Sequence, residues 1–132
     1  MKNLLLFIFC SGIIIACKKD TPVIYNNGVL GKWELVEYYV NPGAGPSEWQ
    51  QPDDDFKHTI EFKSNGDFII DAGLYFDATA FEIPDSSTIK FLNSTQVNGD
   101  LQYLYTLAEH NSILVISPMC FEGCAYKYKA VE

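Results

Sequence analysis

From residue 33 to the C-terminus the chain alternates apolar and polar positions in short runs. The clearest run is FKHTIEFK, residues 56–63, where Phe56, His58, Ile60 and Phe62 alternate with Lys57, Thr59, Glu61 and Lys63. Successive side chains of a strand point to opposite faces, so this pattern predicts one buried and one wet face of an antiparallel sheet. WELVEYYV, residues 33–40, puts Trp33, Leu35 and Tyr39 on one face; AYKYKAV, residues 125–131, sets Tyr126 and Tyr128 against Lys127 and Lys129. Further strands are predicted in DFIID, LYFDATAFEI, TIKFL (88–92), QYLYTLA (102–108) and SILVIS (112–117). Turn residues separate them. Asn65-Gly66 is the strongest hairpin signal, since both central residues of the favoured two-residue turn take positive φ. Pro84-Asp85-Ser86, Asn98-Gly99-Asp100, His110-Asn111 and Glu122-Gly123 mark the others.

About eight short strands in sequence predict an all-β up-and-down meander, closed into an eight-stranded antiparallel barrel so that no sticky edge is left. An open two-sheet β-sandwich is the alternative. Alternation assigns Trp33, Leu35, Phe56, Ile60, Phe62, Ile89, Phe91, Tyr103, Tyr105, Val115, Tyr126 and Tyr128 to the inside. A barrel of this size is only just wide enough for side chains to fill. The long Pro-, Gly- and Asp-rich connection at 41–55 is expected over one mouth.

The N-terminus is of another kind. Behind Met1-Lys2-Asn3 lies LLLFIFCSGIIIA, residues 4–16, uncharged throughout. It is shorter than the ~20 apolar residues that span a bilayer and fits the apolar region of a secretory signal, expected as a helix. It ends in Ile14-Ile15-Ala16-Cys17, which resembles the bacterial lipobox. That resemblance implies diacylglyceryl transfer to the Cys17 thiol, cleavage before it and acylation of the new N-terminus. Two or more acyl chains hold a protein stably on a membrane. Lys18, where many inner-membrane lipoproteins carry an acidic residue, implies transport to the outer membrane, on its periplasmic face or at the surface. Residues 18–28 lack a period and read as a tether reaching about 35 Å when extended. The organisation expected is a signal peptide at 1–16, lipidated cysteine and tether at 17–28, and a barrel at 29–132.

Charge narrows the function. All nine basic residues are lysines against seventeen acids, and the net charge of −8 becomes −9 once Lys2 leaves with the signal. Such a chain repels nucleic acid and anionic headgroups. Cys120 and Cys124 remain as an even pair in an oxidising compartment and are expected to form a disulfide. Two thiols with no neighbouring His lack the four ligands of zinc, and the Cys-x-x-Cys spacing of a redox pair is absent. Asp53-Asp54-Asp55 lacks the spacing of a calcium loop and reads as a solvated run. His58 is expected as a hydrogen-bonded interior histidine, His110 as a surface turn residue. No nucleophile elbow, metalloprotease or phosphate-loop motif occurs. No catalytic residue and no cofactor is therefore assigned.

Gly31-Lys32-Trp33, opening the first strand, resembles the lipocalin signature. Taken with the meander and the lipobox, the chain resembles small lipocalin-like lipoproteins of Gram-negative bacteria over residues 29–131. The resemblance implies a monomeric, membrane-anchored module binding a small apolar or amphipathic ligand. The candidate contacts are Tyr39, Trp49, Phe56, His58, Tyr103, Tyr105 and Tyr126. The barrel is short for a lipocalin and lacks the C-terminal helix and the arginine over the tryptophan. The alternatives are an interaction or structural lipoprotein with a filled core that acts through its loops and, behind it, a small envelope hydrolase or isomerase on the same barrel.

Overall fold

The computed structural model describes residues 26–41, 43, 48–71, 77–95, 99–120 and 123–132; the expected signal helix, Cys17 and most of the tether lie outside them. Eight strands follow in order: β1 Gly31–Val40, β2 Thr59–Phe62, β3 Phe68–Ile70, β4 Ala80–Asp85, β5 Thr88–Ser94, β6 Gly99–Ala108, β7 Ile113–Ser117 and β8 Cys124–Val131. All pairings are antiparallel, and the sheet order is β3-β2-β1-β8-β7-β6-β5-β4. The first strand therefore pairs with the last, from Lys32↔Val131 to Val40↔Cys124. That pairing curls the meander into the expected barrel. The seam between β3 and β4 is narrow: an Asp67↔Ala80 bridge, with Phe68 N donating to the Thr79 carbonyl and Phe81 N to the Gly66 carbonyl, both at 3.0 Å. Among the described residues no helix is long and apolar enough to cross a membrane.

An antiparallel meander divides its connections between two poles. Connections 63–67, 86–87 and 109–112 are short and share one pole with the chain's entry at Asn26 and its end at Glu132. Strands β1, β3, β5 and β7 end at the other. The described entry at Asn26 thus lies at the pole of the tight turns.

The entry is pinned. The indole N–H of Trp33 donates to the Val29 carbonyl at 2.8 Å, which satisfies the one polar atom of a side chain with no exposure. Asn26 N donates to the Asn111 carbonyl at 3.1 Å, and Asn26 Nδ2 to the Lys32 carbonyl at 3.2 Å. Gly31, at φ +127°, leaves room for this: a Cβ there would lie 2.5 Å from Asn26 Cγ.

Of the twelve positions assigned inside, Trp33, Leu35, Ile60, Phe62, Ile89, Phe91, Tyr105, Tyr126 and Tyr128 are buried. Phe56 and Tyr103 are partly buried against the same core. Val115 is a correction: Leu114 and Ile116 are the buried positions of β7. Ile-Leu-Val-Ile has no alternation of its own, so its phase comes from β8, where Leu114 pairs with Tyr128 and Ile116 with Tyr126. Tyr39 is a second correction. The β1–β8 register slips between Leu35 and Glu37, so that Tyr38 rather than Tyr39 faces Tyr126. A bulge inserts one residue and inverts the facing beyond it. Tyr38 packs on the core, and Tyr39, opposite Ala125, stands on the outer wall.

Two local expectations also change. Only Gly66 of the Asn65-Gly66 pair has positive φ, at 90°; Gly66 N donates to the Lys63 carbonyl and Lys63 N to the Asp67 carbonyl, both at 3.0 Å. This is a longer hairpin loop closed by a glycine bulge, the common alternative to the two-residue turn. Residues 56–58 precede β2 instead of opening it. Asp53 caps the turn there, its Oδ1 accepting from Phe56 N at 3.0 Å and its carbonyl from Lys57 N at 2.9 Å.

Candidate functional site

The residues singled out for ligand contact fall into separate places. Phe56, His58 and Tyr126 are neighbours in the barrel's interior: the Phe56 ring centroid is 6.2 Å from His58 and 6.5 Å from Tyr126. Tyr103 packs its ring 5.5 Å from Phe91. Tyr105 is buried, its amide bonded to the Ser87 carbonyl at 2.7 Å. Tyr39 and Trp49 meet on the outer wall, with ring centroids 5.8 Å apart. The sequence had no means of separating these groups, because the β1 bulge that divides them is set by pairing with β8.

In the interior, His58 is 5% exposed and both its ring nitrogens have partners. Nδ1 lies 3.0 Å from the Phe56 carbonyl, and Nε2 lies 3.1 Å from the Tyr128 hydroxyl. A carbonyl only accepts, so Nδ1 carries the hydrogen; in the neutral imidazole Nε2 is then the acceptor and the Tyr128 hydroxyl its donor. Burial pushes the Tyr128 phenol up, with Tyr126 adding to the effect, so the hydroxyl keeps the proton that this bond needs. Burial raises Tyr103 likewise, and Tyr105 by burial and then by nearby Asp85. His58 is thus a satisfied interior group, as expected. Its two nitrogens are committed to the fold, leaving neither for a substrate.

The outer wall carries a different arrangement. Residue 50 pairs with β1 beyond the end of β2: Tyr38 N donates to the Gln50 carbonyl and Gln50 N to the Tyr38 carbonyl, both at 2.8 Å. The Tyr38 hydroxyl adds a bond to Gln50 Oε1 at 2.9 Å. The connection expected over a barrel mouth therefore runs, at 50, along the edge of β1. This fixes Trp49 across the outer face. Its ring tilts 49° against Tyr39, and the Lys127 ammonium sits 4.3 Å from its centroid, a cation–π contact. Lys127 is paired in turn with the Glu37 carboxylate. Trp49 stays 42% exposed. Lys127, Glu37 and Gln50 were missed in the sequence. The Tyr-Lys alternation of β8 put Lys127 on the wet face, but nothing in it announced the tryptophan arriving from a distant loop.

A cleft of about 290 Å³ opens beside the bulge, lined by Glu34, Leu35, Val36, Gln51, Pro52 and Lys57. Lys57 is already held by Asp54 at 3.0 Å, so the cleft offers a charge pair in use. Among the described residues no group of three or more His, Cys, Asp or Glu side chains could hold a metal ion. Asp53 and Asp54 serve the turn instead. His110 is exposed on a turn in which Glu109, His110 and Asn111 all take positive φ, 50°, 56° and 67°. Cys120 and Cys124 form a disulfide, with Cα atoms 5.8 Å apart, within the usual range. Cys17 lies outside the described residues.

Compared with known proteins, the chain matches no family profile, no curated protein and no solved structure.

Proposed function

We propose that this protein is a lipid-anchored lipoprotein of the cell envelope, held in the outer membrane through Cys17. In this reading it is not an enzyme, and its barrel is a filled scaffold that acts through its outer surface. The observation that carries the reading is the state of the interior. Trp33, Phe62, Phe91 and Tyr128 have almost no exposure, and the Trp33 indole and His58–Tyr128 pair have their polar atoms bonded inside the protein. A ligand would have to displace packed side chains and strand those groups.

The test is mass spectrometry on protein extracted from its own membranes. Under denaturing conditions the mature chain should begin at Cys17 and carry acyl chains, and Cys17→Ser should abolish them. Under native conditions the mass should equal that of the acylated polypeptide. Cleavage elsewhere overturns the anchor. A retained small apolar molecule overturns the filled scaffold in favour of the lipocalin-like ligand-binding reading.

A further inference from the structure

We propose that the outer wall around Trp49 is a binding platform for a neutral saccharide chain; the proposal rests on the reading of the barrel as a scaffold acting through its surface, and names what that surface takes. Sugar rings present C–H groups on their faces and hydroxyls around their rims. A site for them needs exposed aromatic faces held still, with hydrogen-bond donors and acceptors at the ring edges. Those parts are assembled here. Trp49 and Tyr39 form a tilted pair, and the three bonds between Tyr38 and Gln50 fix the tryptophan's backbone. Lys127 covers one side of the indole, while 42% of the residue remains exposed. Around the rings stand the Glu37 carboxylate as acceptor and the Lys127 ammonium as donor.

Two observations select the ligand. A protein interface depletes charged residues at its core, whereas here an ion pair lies among the rings, which suits a polyhydroxylated ligand better than an apolar one. The net charge of −8 disfavours anionic glycans, and Glu37 already neutralises the platform's one ammonium. The chain has two tryptophans. Trp33 is fully buried and Trp49 is not, so a fluorescence change on adding sugar reports the platform.

The experiment titrates the mature protein with cellohexaose, maltohexaose, xylohexaose and mannohexaose, followed by tryptophan fluorescence and calorimetry. At least one should bind with a Kd of about 1 mM or tighter. Trp49→Ala should weaken it at least about tenfold, as expected when an aromatic anchor is removed, and Tyr39→Ala several-fold, both with unchanged circular dichroism. Overturning results are no response to any of the four at about 10 mM, or a response that Trp49→Ala leaves intact. Loss of a protein–protein contact in Trp49→Ala, without any sugar response, would also overturn it and make the wall a protein-docking site. Failure here with the interior free of ligand by native mass leaves the scaffold reading standing; a small molecule found inside the barrel sinks that reading whatever the sugars do.

Discussion

Replacing Tyr128 by Phe removes one oxygen from a buried polar contact inside the barrel. Tyr128 is 1% and His58 5% exposed, and their hydroxyl–Nε2 bond is 3.1 Å long. Without the hydroxyl, Nε2 of the neutral imidazole stays buried as an acceptor that has lost its donor. Leaving such a group unsatisfied costs about 1–3 kcal/mol. The apolar ring itself is retained, so little packing is lost, and a net destabilisation of about 1–2 kcal/mol is expected. At about 4–8 °C per kcal/mol for a domain of this size, Tm should fall by roughly 5–15 °C. Urea unfolding by far-UV circular dichroism measures the free energy, with a lowered midpoint at constant slope marking a stability change. A double-mutant cycle with His58→Leu isolates the pair. The single changes each orphan a partner and the double change removes both, so their costs should fall short of additivity by about 1–2 kcal/mol. A Tyr128→Phe protein within about 0.5 kcal/mol of wild type, or strict additivity, would refute the assignment of the hydroxyl as donor to His58.

Gly31→Ala should destabilise the barrel by about 1–3 kcal/mol, because its methyl would lie 2.5 Å from Asn26 Cγ at φ +127°; urea midpoints check this, and Asn26→Gly should recover part of the loss. His110→Gly should raise Tm slightly, by up to about 1 kcal/mol of stability, since His110 is exposed and held at φ 56°; a lower Tm would count against strain in that turn. Cys120→Ser with Cys124→Ser should cost about 2 kcal/mol, from the short loop closed by the disulfide, and peptide mapping without reductant should find the two linked. Asp71 gives a pH signature: burial would raise its carboxyl, but bonds from the Thr59 amide at 2.7 Å and hydroxyl at 2.8 Å hold it below the usual range. Its pKa is thus lower folded than unfolded, so its contribution is present above about pH 4 and lost as pH falls through the folded value; Asp71→Asn should flatten the acid limb of the stability curve, and an unchanged limb would contradict this.

Alternation alone determined the architecture and most of the core. In FKHTIEFK and AYKYKAV every second residue differs in polarity from its neighbours, so the buried faces of β2 and β8 could be read without a partner strand. Trp33 and the cysteine pair were legible for a similar reason: their neighbours in sequence supply what they need, the Val29 carbonyl four residues away and a second thiol four residues away. Tertiary structure decided everything that depends on a register between distant residues. The phase of Ile-Leu-Val-Ile in β7 came from β8, because a uniformly apolar strand buries either face equally well until a neighbour fixes it. The bulge in β1 came from the same strand, and by adding one residue it moved Tyr39 to the outer wall and brought Tyr38 inward. The contacts of His58 with Tyr128 and of Lys127 with Trp49 join residues seventy and more apart. Local pattern carries no information about such pairs; they exist because closing the sheet brings the last strand beside the first, and side-chain direction in a strand inverts with each residue of slip.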